Sequence, residues 1–172
     1  KHPLGFLPAS LLTVLLYKIV PMSPKQVCED IDSIVADTVN ILDRIYKGKY
    51  DADKRYLKEL TTKAIRLAHS DIADADAIRQ LGEGWVAEET WAIALYCAIR
   101  HIDSVEDAII ASVNHDGDSD STGSVCGNIM GAIYGYEHIK ERNIFCPEGK
   151  KLEDVLELSE IILALADDLS TG

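Results

Sequence analysis

The chain has 172 residues, 47% apolar and 27% charged, which fits one globular domain and excludes a disordered segment. Its 29 acidic residues outnumber 17 basic ones, for a net charge of −12, so the basic footprint of a nucleic-acid or anionic-membrane binder is absent. Four cysteines, at 28, 97, 126 and 146, show no CxxC or Cys/His zinc spacing and read as reduced, buried thiols of a cytoplasmic protein.

The apolar spacing is helical almost throughout, and strand alternation is scarce. A first helix falls within 4–20; Pro8 and Lys18 interrupt its apolar run, and it is shorter than the ~20 residues of a membrane span. That the chain opens inside an apolar element leads to the expectation of a missing upstream partner, and of self-association through the face so exposed. Ser23-Pro24 is an N-cap with proline at N1, and the stripe Val27, Ile31, Ile34, Val35, Thr38, Ile41, Leu42, Ile45 runs to a stop at Gly48. Asp53 opens a helix through Leu57, Leu60, Ala64 and Leu67, and a short helix follows from Ser70 or Asp71 to Gly82. After the hinge-like Gly82-Glu83-Gly84 comes a strongly apolar helix over 85–99, then one over 105–113 capped by Ser104 with Asp107. A polar loop leads to a glycine-rich helix over 121–136, a loop over 143–150 and a last helix over 159–169. The sum is one all-α domain over 1–172, a non-repeating multi-helix bundle.

The acid is concentrated. From Asp71 to Asp120 there are twelve Asp or Glu and two basic residues, Arg79 and Arg100. The centre is Asn114-His115-Asp116-Gly117-Asp118-Ser119-Asp120-Ser121-Thr122-Gly123, where alternating carboxylates and hydroxyls supply the oxygen ligands that hard cations take. An EF-hand fails, because its glycine position holds Ser121 and its bidentate glutamate position holds Gly127. A dehalogenase-like DxDxT loop fails, because it ends a strand of a parallel sheet and the chain has none. Two readings stand: a loop giving Mg²⁺ two carboxylates, Asp118 and Asp120, with the Ser121 hydroxyl, or a surface helix capped by acidic residues. Gly123, Gly127, Gly131 and Gly135 recur every fourth residue, at up to ~1 kcal/mol of helix propensity each, which predicts a backbone packed tightly against that face. Trp85, between Gly84 and the next helix, either fills the core or stacks on a flat ligand. Glu88 and Glu89 suit the macrodipole of the helix they begin.

Three segments together, Gly84-Trp85-Val86-Ala87-Glu88-Glu89, the 113–123 loop and the glycine ladder, resemble the C-terminal half of the ADP-ribosylglycohydrolase family. The opening His2-Pro3-Leu4 and the closing Ala166-Asp167-Asp168-Leu169 are similar to its mid-chain and tail elements. The resemblance implies an all-α orthogonal bundle, truncated at its N-terminus, with two Mg²⁺ ions at one end. It also implies cleavage of the glycosidic bond between ADP-ribose and a protein side chain or small acceptor. It assigns Asp118 and Asp120 to catalysis and metal, Ser121 to metal, and His2, Gly84 and Trp85 to the substrate. Ser121 stands where the family usually has threonine, and Asp116 where it often has glycine. The family's remaining ligands, in a Thr-Asp-Asp element and an upstream glutamate, have no counterpart here. The alternative is therefore a non-catalytic helical fragment, or a binding or structural module.

Overall fold

The computed structural model describes residues 2–142 and 146–171, the last two by backbone only. Among these residues every regular element is a helix. The chain divides into two compact units, the first ending at Tyr134 and the second beginning at Gly135.

The first unit holds a short 3-10 turn, Pro3–Gly5, and seven α-helices: α1 (Leu7–Ile19), α2 (Pro24–Ile45), α3 (Asp51–Ala68), α4 (Asp74–Leu81), α5 (Ala87–Arg100), α6 (Val105–Val113) and α7 (Ser119–Tyr134). Two of the caps read from the sequence, Ser23 and Ser104, are formed, whereas α3 opens at Asp51 after Tyr50 and not at Asp53, and α4 opens at Asp74 and not at Ser70 or Asp71. Ser23 Oγ accepts the Gln26 N–H while Gln26 Oε1 accepts the Ser23 N–H, a reciprocal capping box ahead of Pro24. Ser104 Oγ accepts the Asp107 N–H at the start of α6. The α2 stripe is buried at Val27, Ile31, Ile34, Val35, Thr38 and Leu42, whereas Ile41 is half-buried and Ile45, in the last turn, is exposed.

Helix α5 is the axis of this unit. Every side chain from Thr90 through Ile99 is buried, and α1, α3, α4, α6 and α7 all pack on it. A helix apolar all round is the sequence signature of such a surrounded position. Trp91, fully enclosed, donates its indole N–H to Thr61 Oγ1 at 3.0 Å, tying α5 to α3; Thr61 in turn donates to the Leu57 carbonyl at 2.7 Å. Thr61→Val keeps the volume and leaves a buried indole N–H without an acceptor, so urea denaturation is expected to show a loss of about 1–3 kcal/mol. Thr61→Ser should restore most of it; an unchanged midpoint for the valine variant would contradict the bridge.

The thiols of Cys97 and Cys126 are buried; burial pushes Cys126 up to about 12 and Cys97 higher still, which makes both unreactive. No helix among the described residues is long and apolar enough to cross a membrane.

The second unit holds α8 (Tyr136–Glu141), α9 (Leu152–Val155) and α10 (Ser159–Thr171). The predicted loop over 143–150 lies partly outside the described residues. Glu153 accepts from the Tyr136 hydroxyl at 2.9 Å and from the Lys140 ammonium at 2.6 Å. Chiefly the Lys140 hydrogen bond holds its carboxyl down at about 2. The face of α10 carrying Ile161, Ile162, Leu165 and Leu169 is exposed.

The glycine ladder differs from expectation. Only its first member meets a tight neighbour: a Cβ on Gly123 would lie 2.6 Å from Val113 Cγ1 of α6. Gly127 has an ordinary contact with Ile109, nothing lies within 4 Å of a Cβ on Gly131, and Gly135 leaves the helix at φ +78°. The close approach is side chain to backbone, at the end of α7 that adjoins the acidic loop.

Candidate active site

The site forms where two loops meet in front of α5 and α7. The loop over 82–86 enters α5, and the loop over 114–118 enters α7. They are joined backbone to backbone, because the Asp118 N–H donates to the Glu83 carbonyl at 2.7 Å. Gly117 is what permits this approach: a Cβ there would lie 1.8 Å from that same carbonyl oxygen. Gly84 approaches from the other side, at φ +83°, with its Cβ position 3.0 Å from Thr122 Cγ2 and 3.5 Å from Asp118 Cβ.

Thr122 and His115 stiffen the acidic loop from beneath. The Thr122 hydroxyl, fully buried, donates to the Ser112 carbonyl at 2.7 Å. His115 spans the loop, its Nε2 lying 2.9 Å from Thr122 Oγ1 and its Nδ1 accepting the Gly117 N–H at 3.1 Å. Those partners fix the ring proton on Nε2.

Asp118 sits just before α7, where its carbonyl accepts the Thr122 N–H; Asp120 and Ser121 lie in the first turn. The neighbouring Asp120 carboxyl first, and Ser121 second, hold the Asp118 carboxyl below the usual carboxylate range. Neighbouring carboxylates favour a shared proton or a bound cation. Together with the Ser121 hydroxyl they form a hard, all-oxygen donor set of the kind that holds Mg²⁺ alongside water and substrate phosphate. The residues present thus fit part of a Mg²⁺ shell. Among the described residues no group of three His, Cys, Asp or Glu side chains converges on one point, so the donor set stays at two carboxylates and a hydroxyl.

These groups open onto a cavity of about 600 Å³. Its apolar wall comes from Pro8 and Leu12 of α1, Val86, Trp91 and Val125; Gly84, Trp85, Asp118, Asp120 and Ser121 complete the lining. Trp85 stays out of the core: it precedes α5, is 65% exposed, and donates its indole N–H to Glu83 Oε2 at 3.1 Å. Of the two readings open from the sequence, the core one is therefore set aside. His2 is not in the lining; its Nδ1 accepts the Leu4 N–H at 3.4 Å and caps the Pro3–Gly5 turn.

One residue carries more than the sequence indicated. Glu89, read as a helix-dipole carboxylate, reaches back and accepts the N–H groups of Glu83 and Gly84 on one oxygen, Oε2, at 3.1 Å each. Its neighbour Thr90 donates to the Gly84 carbonyl at 2.7 Å. The available signal was the Gly82-Glu83-Gly84 run itself, which presents backbone donors a few residues ahead of a carboxylate.

The ADP-ribosylglycohydrolase family model matches residues 1–171. Among curated proteins the chain is similar to ADP-ribosylhydrolase ARH3 of Homo sapiens and of Bos taurus, each 25% identical over 145 residues, and of Mus musculus, 26% identical over the same length. Each match covers 78% of this chain and 39% of the relative. No solved structure gives a significant match. With a family model spanning nearly its whole length, an all-α fold and a loop-built acidic site, the chain belongs to the ADP-ribosylglycohydrolase family.

Proposed function

We propose that the protein carrying this chain hydrolyses the glycosidic bond between ADP-ribose and a protein side chain or small acceptor, and that Asp118, Asp120 and Ser121 hold Mg²⁺ for that reaction. The observation that carries the reading is their convergence at the mouth of a largely apolar cavity, beside an exposed indole. Family membership and the name of the ARH3 relatives supply the substrate class.

When bound, Mg²⁺ would polarise ribose oxygens, neutralise phosphate charge and activate water. The chain's own residues do the rest. Asp118 and Asp120 supply the negative charge that localises a cation in the cavity mouth. Low proton affinity keeps Asp118 a carboxylate, able to accept a hydrogen bond from a ribose hydroxyl or from attacking water. Gly84 lets backbone, not side chain, face Asp118 and so leaves room for substrate. Trp85 offers a flat apolar surface, and Pro8, Leu12 and Val125 exclude water from the cavity floor. His2 is proposed on the substrate side from the resemblance alone. The unreactive Cys97 and Cys126 thiols support a cytoplasmic setting.

A second reading is favoured by the small donor set: the 172 residues alone bind a cation loosely and do not turn over. Release of ADP-ribose from an ADP-ribosylated protein separates the two. The protein carrying this chain should release it, lose activity on chelation and recover with added Mg²⁺. Activity indifferent to chelation would sink the cation assignment, and activity in the isolated 172 residues would sink the second reading.

A further inference from the structure

We infer that Glu89 is a positioning residue that sets the Trp85 wall and the Asp118 carboxylate in register with each other. The inference rests on the proposed cation site for its consequence, and on hydrogen bonds and close contacts alone for its geometry.

Three links make a continuous path. Glu89 Oε2 accepts the Glu83 and Gly84 N–H groups, each at 3.1 Å, so one ionisable oxygen fixes two consecutive peptide units. The Glu83 carbonyl, thereby held in place, accepts the Asp118 N–H at 2.7 Å. Trp85 follows directly in the same loop, with its indole N–H on the Glu83 side chain. Gly82 shows how closely the carboxylate is seated: a Cβ there would lie 2.4 Å from Glu89 Cδ. The base of the path is rigid, since Glu89 stands in the first turn of the buried helix α5. Its carboxylate points back into its own loop and does not line the cavity, so it does not compete for the cation. Charge-assisted acceptance of two backbone donors is stronger than the neutral equivalent. One side chain of α5 therefore governs two sides of the cavity that belong to different loops.

The test compares Glu89→Ala and Glu89→Gln in the full chain by site-resolved amide hydrogen exchange and by calorimetric titration with Mg²⁺. In Glu89→Ala the amides of Glu83, Gly84 and Asp118 should exchange about tenfold faster or more, on the scale of a charged hydrogen bond. Protection in α3 and in the body of α5 should stay as in the unmodified chain. Mg²⁺ affinity should fall about 10–100-fold, as for loss of a group that orients a metal ligand. Glu89→Gln keeps an oxygen with two lone pairs and should restore most of both. Unchanged exchange at those three amides would overturn the inference. So would an even loss of protection through α3 and α5, or a glutamine variant no better than alanine. If the unmodified chain takes up no Mg²⁺, the cation reading fails separately, and the exchange pattern still decides the role of Glu89.

Discussion

Replacing Gly117 by alanine is expected to cost the protein both stability and the acidic site. The added methyl would sit 1.8 Å from the Glu83 carbonyl oxygen and 2.6 Å from its carbon, both backbone atoms. Neither can swing aside as a flexible side chain would. The loops must separate, and with them goes the 2.7 Å hydrogen bond from the Asp118 N–H to Glu83. Forced overpacking costs about 1–3 kcal/mol, and an orphaned backbone pair adds about 1 kcal/mol. Chemical denaturation should register roughly 2–4 kcal/mol. Turnover should fall further than stability, because the displaced atom adjoins Asp118. A Gly117→Ala variant with native stability and activity would mean that the two loops are not clamped as described.

The second large effect concerns the carboxylates themselves. Asp118→Asn and Asp120→Asn are nearly isosteric and change charge more than shape. Losing a residue that merely supports a metal ligand costs about 10–100-fold, so losing a ligand should cost at least about 100-fold in ADP-ribose release. Asp118 is half-buried and Asp120 exposed, and neither belongs to the core, so both variants should stay folded with a loss of stability small beside the loss of turnover. Ser121→Ala removes only a neutral oxygen and should be milder, while Ser121→Thr keeps the donor. The ordering expected in steady-state assays is therefore the two asparagine variants, then alanine, then threonine. Full activity in either asparagine variant would remove that residue from the cation site.

Much of this molecule was legible before any coordinates. Helix periodicity with the Ser23 and Ser104 caps located the starts of α2 and α6, because those caps act locally and need no tertiary partner. The strongly apolar run from Trp91 to Ile99 already suited a helix buried on more than one side. The alternation of Asp118 and Asp120 was visible in the sequence as two carboxylates that a turn can aim at one point, and both line the cavity with Ser121. What stayed hidden depends on which segments meet in space. Gly117 looks like any turn glycine until the Glu83 carbonyl arrives beside it. Glu89 has an adequate local explanation in the helix dipole, which masks its grip on the preceding loop. The glycine ladder gave a regular pattern, but only Gly123 finds a side chain pressed against it, while Gly127 has an ordinary contact and Gly131 none within 4 Å. Trp85 falls outside α5 because Gly84, at positive φ, delays the helix until Ala87.

The most direct measurement of the central claim is anomalous diffraction from crystals of the protein soaked in Mn²⁺, an octahedral oxygen-seeking ion close in demand to Mg²⁺. An anomalous peak within coordination distance of Asp118, Asp120 and Ser121 oxygens, at the mouth of the Trp85-walled cavity, is the expected result. Mn²⁺ bound elsewhere, with this carboxylate pair left without a peak, would contradict it.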